Sequence, residues 1–447
     1  MDLFTHQITG AAWLTARRAA LLADDQGLGK TATTITAADA VGAQRMLVLA
    51  PSVVCHNWAR EIGVWSPSRS VSVLTRGDAA VPPRGTVVTT HDLLRSPLGA
   101  RLAREEWDLI AVDEAHQFRN RAAARTQRLF GLARGGRGLA GSARRVWLLT
   151  GTPTPNNPTE WWSYLAGIAP DRLAGPTGRP LSWTAWRARY CQAVYVPFGD
   201  GTKIVGSRNE AELRQRLEGF VLRRLKSDHL DLPAIRWGIV ELDAQRSPAL
   251  RRIEAKLPPP GTRDYLRALQ ESAEFSTWRR LCGEAKAKAA AALLIDELST
   301  DPARKVVVFA HHASVLDTVL AALRAEETGA VEITGRIGPA DRQRAVDAFQ
   351  RDASVRVACC NIVAGGVGIT LTAAHDVVMI EQSYVPGENL QAADRCHRIG
   401  QRESVLVRVL VLSGSVDSHV AEALALKRAM LAATVQPTEG YRERKNI

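Results

Sequence analysis

The sequence lacks any pair of cysteines spaced to hold a metal, and any long apolar run. Its six cysteines, Cys55, Cys191, Cys282, Cys359, Cys360 and Cys396, form no CxxC and no Cys/His cluster. That spacing argues against a zinc site and a disulfide scaffold and predicts buried, reduced thiols. No uninterrupted apolar stretch approaches the roughly 20 residues of a membrane helix, so no membrane partner is expected. Met1 to Gly10 lacks the basic segment, apolar core and small-residue cleavage site of a secretory leader, and the expected location is the cytoplasm. Internal repeats, low-complexity segments and appended recognition modules are absent as well. Lysine is scarce, 9 residues against 49 arginines.

What is present is positive charge and an alternation of elements. The chain has 447 residues, which suits two or three domains, and 46% of them are hydrophobic, ample for sizeable cores. A net charge of +12 favours a polyanionic partner through counterion release. A GC-rich coding sequence would also raise arginine and alanine, so charge alone does not name that partner. Short β-rich apolar runs alternate with longer helical stretches in both halves. In the first half they are Ala19–Ala23, Met46–Leu49, Val71–Leu74, Thr86–Thr90, Leu109–Val112 and Val146–Leu149. In the second half they are Lys305–Phe309, Ala330–Ile333, Val355–Cys360, Val377–Ile380 and Val405–Leu412. The pattern predicts an α/β chain with two parallel-sheet lobes, over residues 1–172 and 289–447.

Between the lobes, residues 173–288 lose the alternation, with Gly and Pro clustered at Gly175–Pro180 and Leu257–Gly261. They read as a helical insertion and connector. Trp183 and Trp186 lie there, near Trp161 and Trp162 in sequence. Aromatic packing of a small subdomain is the expected role, with nucleic-acid stacking as the alternative.

Asp24-Asp25-Gln26-Gly27-Leu28-Gly29-Lys30-Thr31 follows an expected strand and opens an expected helix, the context a phosphate loop needs. Gly27 and Gly29 let backbone amides wrap an anion. Lys30 is suited to neutralising β- and γ-phosphates, and the Thr31 hydroxyl to coordinating Mg²⁺ at the helix N-terminus. Asp24 stands where the full GxxxxGK[ST] pattern has glycine. Downstream, the strand Leu109–Val112 ends in Asp113-Glu114-Ala115-His116. Asp113 is the candidate Mg²⁺ ligand, and Glu114 the candidate general base for the attacking water.

These motifs resemble those of superfamily-two helicases, more narrowly the Swi/Snf-type DNA-dependent ATPases. His6-Gln7 resembles the segment in which a glutamine reads adenine. Leu49–Ser52, Thr89–His91, Asp113–His116 and Leu149–Pro153 resemble the family's first-lobe motifs in order. Asn361–Leu371 resembles its fifth motif, and Gln391–Gln401, ending in HRIGQ, its sixth. Within the sixth, Arg395 and Arg398 match the paired arginine fingers; three positions apart, they would share one face of a helix. Val221–Asp228 with Leu232-Pro233 resembles the basic segment joining the lobes, and read alone is a basic helix that contacts phosphate or stays solvated. Asp25-Gln26 departs mildly from the family's acidic-then-methionine pair.

The resemblance implies two RecA-like lobes, ATP with Mg²⁺, and DNA, duplex or forked, as partner, on the nucleoid or on viral DNA if the source is bacterial or viral. RNA is not expected, and protein partners are unknown. The implied activity is an ATP-dependent translocase or helicase-like motor. A strand-separating DNA or RNA helicase and a nucleotide-gated nucleic-acid clamp are the alternatives. The compact layout resembles the fork-remodelling, strand-annealing branch or bacterial and viral relatives.

Overall fold

The structure, a computed structural model, describes residues 2–132, 138–151, 158–175, 178–195, 202–262, 264–362 and 369–434. Thr152-Pro153 and 363–368, parts of two expected motifs, lie outside the described residues, as do 176–177 of the first Gly/Pro cluster. The chain divides into two compact units, the first ending at His229 and the second beginning at Leu230.

The strands of the first unit are β1 (Ala19–Leu22), β2 (Arg45–Ala50), β3 (Val71–Leu74), β4 (Gly85–Thr90), β5 (Trp107–Val112), β6 (Ala143–Leu149), β7 (Cys191–Tyr195), β8 (Thr202–Ser207) and β9 (Val221–Leu222). Seven of them form one sheet in the order β3-β4-β2-β5-β6-β1-β9. Every pairing in it is parallel. Near-continuous apolar runs such as Met46–Ala50 and Leu109–Val112 are buried throughout, as strands covered by helices on both faces must be.

The second unit holds β10 (Ile235–Leu242), β11 (Val306–Ala310), β12 (Gly329–Ile333), β13 (Val355–Asn361), β14 (Asp376–Met379) and β15 (Val405–Leu412). Their order is β10-β15-β14-β11-β13-β12, again wholly parallel. Each apolar run picked out in the sequence is a strand. Beyond those runs stand β7, β8, β9 and β10. The edge strand β10 carries exposed Arg236, Ile239 and Glu241, which dilute its apolar signal.

The stretch expected as an insertion and connector, 173–288, runs across the boundary between the two units. Its first part packs onto the first unit: Trp186 and Tyr190 are fully buried in that unit's core. The Trp186 indole N–H donates to Pro158 O at 2.9 Å, and that of Trp162 to Leu181 O at 2.9 Å. Packing therefore accounts for these two indoles. From Leu230 onward the chain belongs to the second unit, where the long helix Phe275–Thr300 buries Ala287, Ala290, Ala291 and Leu294 against the sheet. The division follows which sheet each segment's apolar face covers.

Candidate active site

The phosphate loop leaves the carboxyl end of β1 and runs into the helix Lys30–Ala40. Gly27 and Gly29 sit at φ 87° and 76°, backbone that L side chains rarely adopt. At Gly29 there is also no room, because a Cβ would lie 2.1 Å from Gln7 Nε2. Gln7 and its neighbour hold the loop from the helix Thr5–Thr15: Gln7 Nε2 donates to Leu28 O at 3.3 Å, and His6 Nε2 lies 3.0 Å from the same oxygen. Lys30 Nζ donates to Asp24 O at 2.7 Å and Asp25 O at 3.2 Å. Burial lowers the Lys30 pKa, against the nearby carboxylates of Glu114, Asp24, Asp113 and Asp25. Thr31, half-buried, follows at the start of the helix.

Asp113 and Glu114 cap the carboxyl end of β5. Asp113 Oδ2 accepts from the Trp58 indole at 2.8 Å, and Oδ1 from the Glu114 backbone N–H at 2.9 Å. Glu114 turns the chain through φ 47° into the short turn Ala115–Phe118. His116 Nδ1 stands 3.1 Å from Glu114 Oε2, and Thr150 Oγ1 lies 3.4 Å from that nitrogen, linking the segment after β6 to the acidic pair. Burial and the Glu114 charge push the Asp113 carboxyl up to about 6. Burial also acts upward on Glu114, but His116, Lys30 and His91 outweigh it, and its pKa ends below the ordinary value. The two adjacent carboxyls are thus driven apart, Asp113 upward and Glu114 downward.

Sequence reading missed the residues that complete this site. Asp24, fully buried, is gripped by Arg224 through both carboxylate oxygens, Nε to Oδ1 at 3.0 Å and Nη2 to Oδ2. Arg224 also donates to His6 O and to Thr9 Oγ1. Arg223 pairs with Asp25 at 3.1 Å, and Lys226 N donates to Asp25 Oδ2 at 3.1 Å. The basic segment after β9 thus neither stays solvated nor waits for phosphate: its arginines brace the phosphate loop. The signal was Asp24 itself, an acid at a loop position that favours glycine, which must find a cation when buried. Trp58, 55 positions before Asp113, carried only the requirement that a buried indole N–H find an acceptor.

In the second unit the helix Pro386–Ala393 ends before the expected arginine pair, so Arg395 and Arg398 do not share a helical face. They lie in successive turns closed by Cys396 N to Ala393 O and Gln401 N to Arg398 O. Arg398 is half-buried, its Nε donating to Asp394 O at 3.0 Å. Arg395 is wholly buried, and none of its three guanidinium nitrogens has a hydrogen-bond partner among the described residues. Burial and the charge of Arg398 push its pKa down to about 9. It is therefore a side chain inside its own unit rather than one displayed at the surface. Gln401 ties the turn together, its amide donating to Ala374 O at 2.8 Å and Cys396 O at 3.0 Å while Oε1 accepts from Arg402 and Glu403 N. Gly400 at φ 99° permits the reversal before it.

Mg²⁺ fits the first-unit site. Asp113 and Glu114 crowd two carboxyls together at the end of β5, and Thr31 stands in the first turn of the helix that follows the phosphate loop. Among the described residues no group of three His, Cys, Asp or Glu side chains holds a metal unaided. An ion here would be shared between Asp113, Thr31 and the phosphates of a nucleotide.

A phosphate loop and a strand-end Asp-Glu pair on one parallel sheet, followed by a second parallel sheet bearing buried arginine, define the helicase-like ATPase class. The SNF2-related domain family matches residues 6–247, and the helicase conserved C-terminal domain matches residues 288–400. The chain belongs to the SNF2-related family. It is 33% identical over 407 residues to the SWI/SNF-related matrix-associated actin-dependent regulator of chromatin subfamily A-like protein 1 of Xenopus laevis, covering 90% of this chain and 40% of that protein. It is 30% identical over 448 residues to the DNA annealing helicase and endonuclease ZRANB3 of Mus musculus, covering 93% and 39%. The chain thus spans about two fifths of these relatives. The solved Sulfolobus solfataricus SWI2/SNF2 ATPase core in complex with dsDNA is 22% identical, with a TM-score of 0.46, over 97% of this chain and 93% of that one.

Proposed function

We propose that the protein is a DNA-stimulated ATP hydrolase that uses each cycle to move along duplex or forked DNA. The observation that carries this reading is the set Lys30, at the start of the helix after β1, with Asp113 and Glu114 at the end of β5, electrostatically coupled. In it, the amides of Gly27 and Gly29 wrap the phosphates, Lys30 exchanges the Asp24 and Asp25 carbonyls for phosphate oxygens, and Gln7 reads the adenine. Mg²⁺, when bound, would supply positive charge to the phosphates. Thr31 and Asp113 would hold that ion. Glu114, ionised at neutral pH, orients a water and takes its proton. For Arg395 and Arg398 the family resemblance implies arginine fingers, an effect worth roughly 10³ to 10⁵ in rate in related phosphoryl transfer. The family membership and the annealing helicase among the relatives support DNA as the track.

The test is the ATPase rate with duplex, single-stranded and forked DNA and with RNA, at one salt concentration because electrostatic binding falls steeply with salt. Duplex and forked DNA are expected to stimulate most, and Lys30→Ala and Glu114→Gln to lose at least a hundredfold. Wild-type turnover in either variant overturns the site. Displacement of a third strand from a triplex separates a motor from a static clamp, and release of a labelled strand from a duplex separates strand separation from translocation.

A further inference from the structure

Trp183 was not absorbed by the packing that accounts for Trp186 and Trp162. It stands half-buried at the first position of the helix Trp183–Tyr190, whose N-terminus is capped by Ser182 Oγ accepting from Ala185 N at 3.2 Å. Two guanidinium groups converge on its ring, Arg121 at 4.3 Å and Arg187 at 5.6 Å from the centroid. Neither has an ion-pair or hydrogen-bond partner among the described residues; the neighbouring acid, Glu160, is taken by Arg119 at 3.5 Å. Each cation is attracted by the indole ring, and their planar guanidinium forks match the oxygens of a phosphate.

The frame behind them is fixed. Trp186, three positions on, is fully buried with its N–H on Pro158 O, and Trp162 holds Leu181 just before the helix. Arg121 ends the segment that begins at Glu114. That segment is pinned to the helix Thr159–Ile168 by Tyr164 OH on Ala115 O at 3.0 Å and Ser163 Oγ on Arg119 O at 2.8 Å. We propose that Arg121, Trp183 and Arg187 form a clamp for a backbone phosphate of the DNA strand, apart from the nucleotide site. This rests on the DNA-motor reading. The clamp is sequence-independent, because phosphate contacts position a duplex without reading bases.

The experiment is equilibrium binding of the full chain to a labelled duplex across a salt series, beside the DNA concentration that half-stimulates the ATPase. Arg121→Ala/Arg187→Ala is expected to weaken binding and raise the half-stimulating concentration about tenfold. Its slope of log Kd against log salt should fall by about 1, since one neutralised phosphate contributes roughly 0.9. Arg121→Lys/Arg187→Lys keeps the salt slope and loses only part of the tenfold. Arg84→Ala/Arg104→Ala removes the same charge from two exposed positions of the same unit and should change binding less than twofold. Equal losses in the two alanine pairs, or none in the Arg121/Arg187 pair while wild-type ATPase still responds to DNA, overturn the clamp alone. A wild type whose ATPase ignores DNA overturns the motor reading and the clamp with it. Thermal melts of each variant separate these outcomes from misfolding.

Discussion

Arg224, half-buried, and Arg395, wholly buried, both stand beside a sequence motif, and they are kept in opposite ways. Arg224 enters the first unit's phosphate loop with a carboxylate, a carbonyl and a hydroxyl to receive it. Arg395 sits in the second unit against the Phe309 ring, 5.9 Å from its centroid, with no acceptor for any guanidinium N–H among the described residues. A paired buried charge rigidifies what it holds, whereas an unpaired one costs stability until an anion or carbonyl reaches it. The first unit's cradle is finished as it stands. The second unit holds a charge in reserve, the pattern expected where strain is retained for function.

The sharpest way to break the contrast is to remove each arginine. Arg224→Ala leaves Asp24 buried without its cation and should cost about 3–5 kcal/mol, read as a lower urea midpoint for the first unit and a raised KM for ATP. Arg395→Met should do the reverse for stability, a gain of about 1–3 kcal/mol as an unsatisfied charge is removed, while ATP turnover falls. A destabilised Arg395→Met protein would show that the guanidinium has partners after all.

The smallest effect concerns a compensated acid in the second unit. Burial pushes the Glu381 carboxyl up, but the His312 ring at 2.7 Å and the backbone N–H groups of His311 and His312 outweigh it, and its pKa lies below the ordinary value of 4.5. The unfolded chain therefore takes up the proton first. The stability this carboxylate adds is complete above about pH 4.5 and lost as pH falls through its folded-state value. Urea midpoints at neutral and acid pH should converge between wild type and Glu381→Gln, and parallel midpoints would refute the assignment.

Much of this architecture was legible in the sequence because it is written in contiguous stretches. Apolar runs such as Val355–Cys360 are strands in place, and the phosphate loop and Asp113-Glu114 sit at strand ends where a parallel sheet puts its ligands. What was not legible is held by partners far apart in the chain. Val221 and Leu222 are too short a run to read as a strand until β1 pairs with them. Trp58 orients Asp113 across 55 positions. The spacing of Arg395 and Arg398 invited a helical reading, but the chain turns inward after Ala393 and buries Arg395 and Cys396 together. Periodicity describes a face only while the helix lasts.

The pairing of β9 with β1 also sets a timetable for synthesis. Asp24 and Arg224 are separated by 200 positions. At roughly 5–20 residues per second, a ribosome takes about 10–40 s to supply the second after the first. During that interval the emerging phosphate loop holds an acid it cannot bury at ease, and the sheet lacks its last edge. The nucleotide cradle is thus completed long after its loop is made, and a nascent chain has to wait for Arg224 before it can hold ATP as the finished protein does.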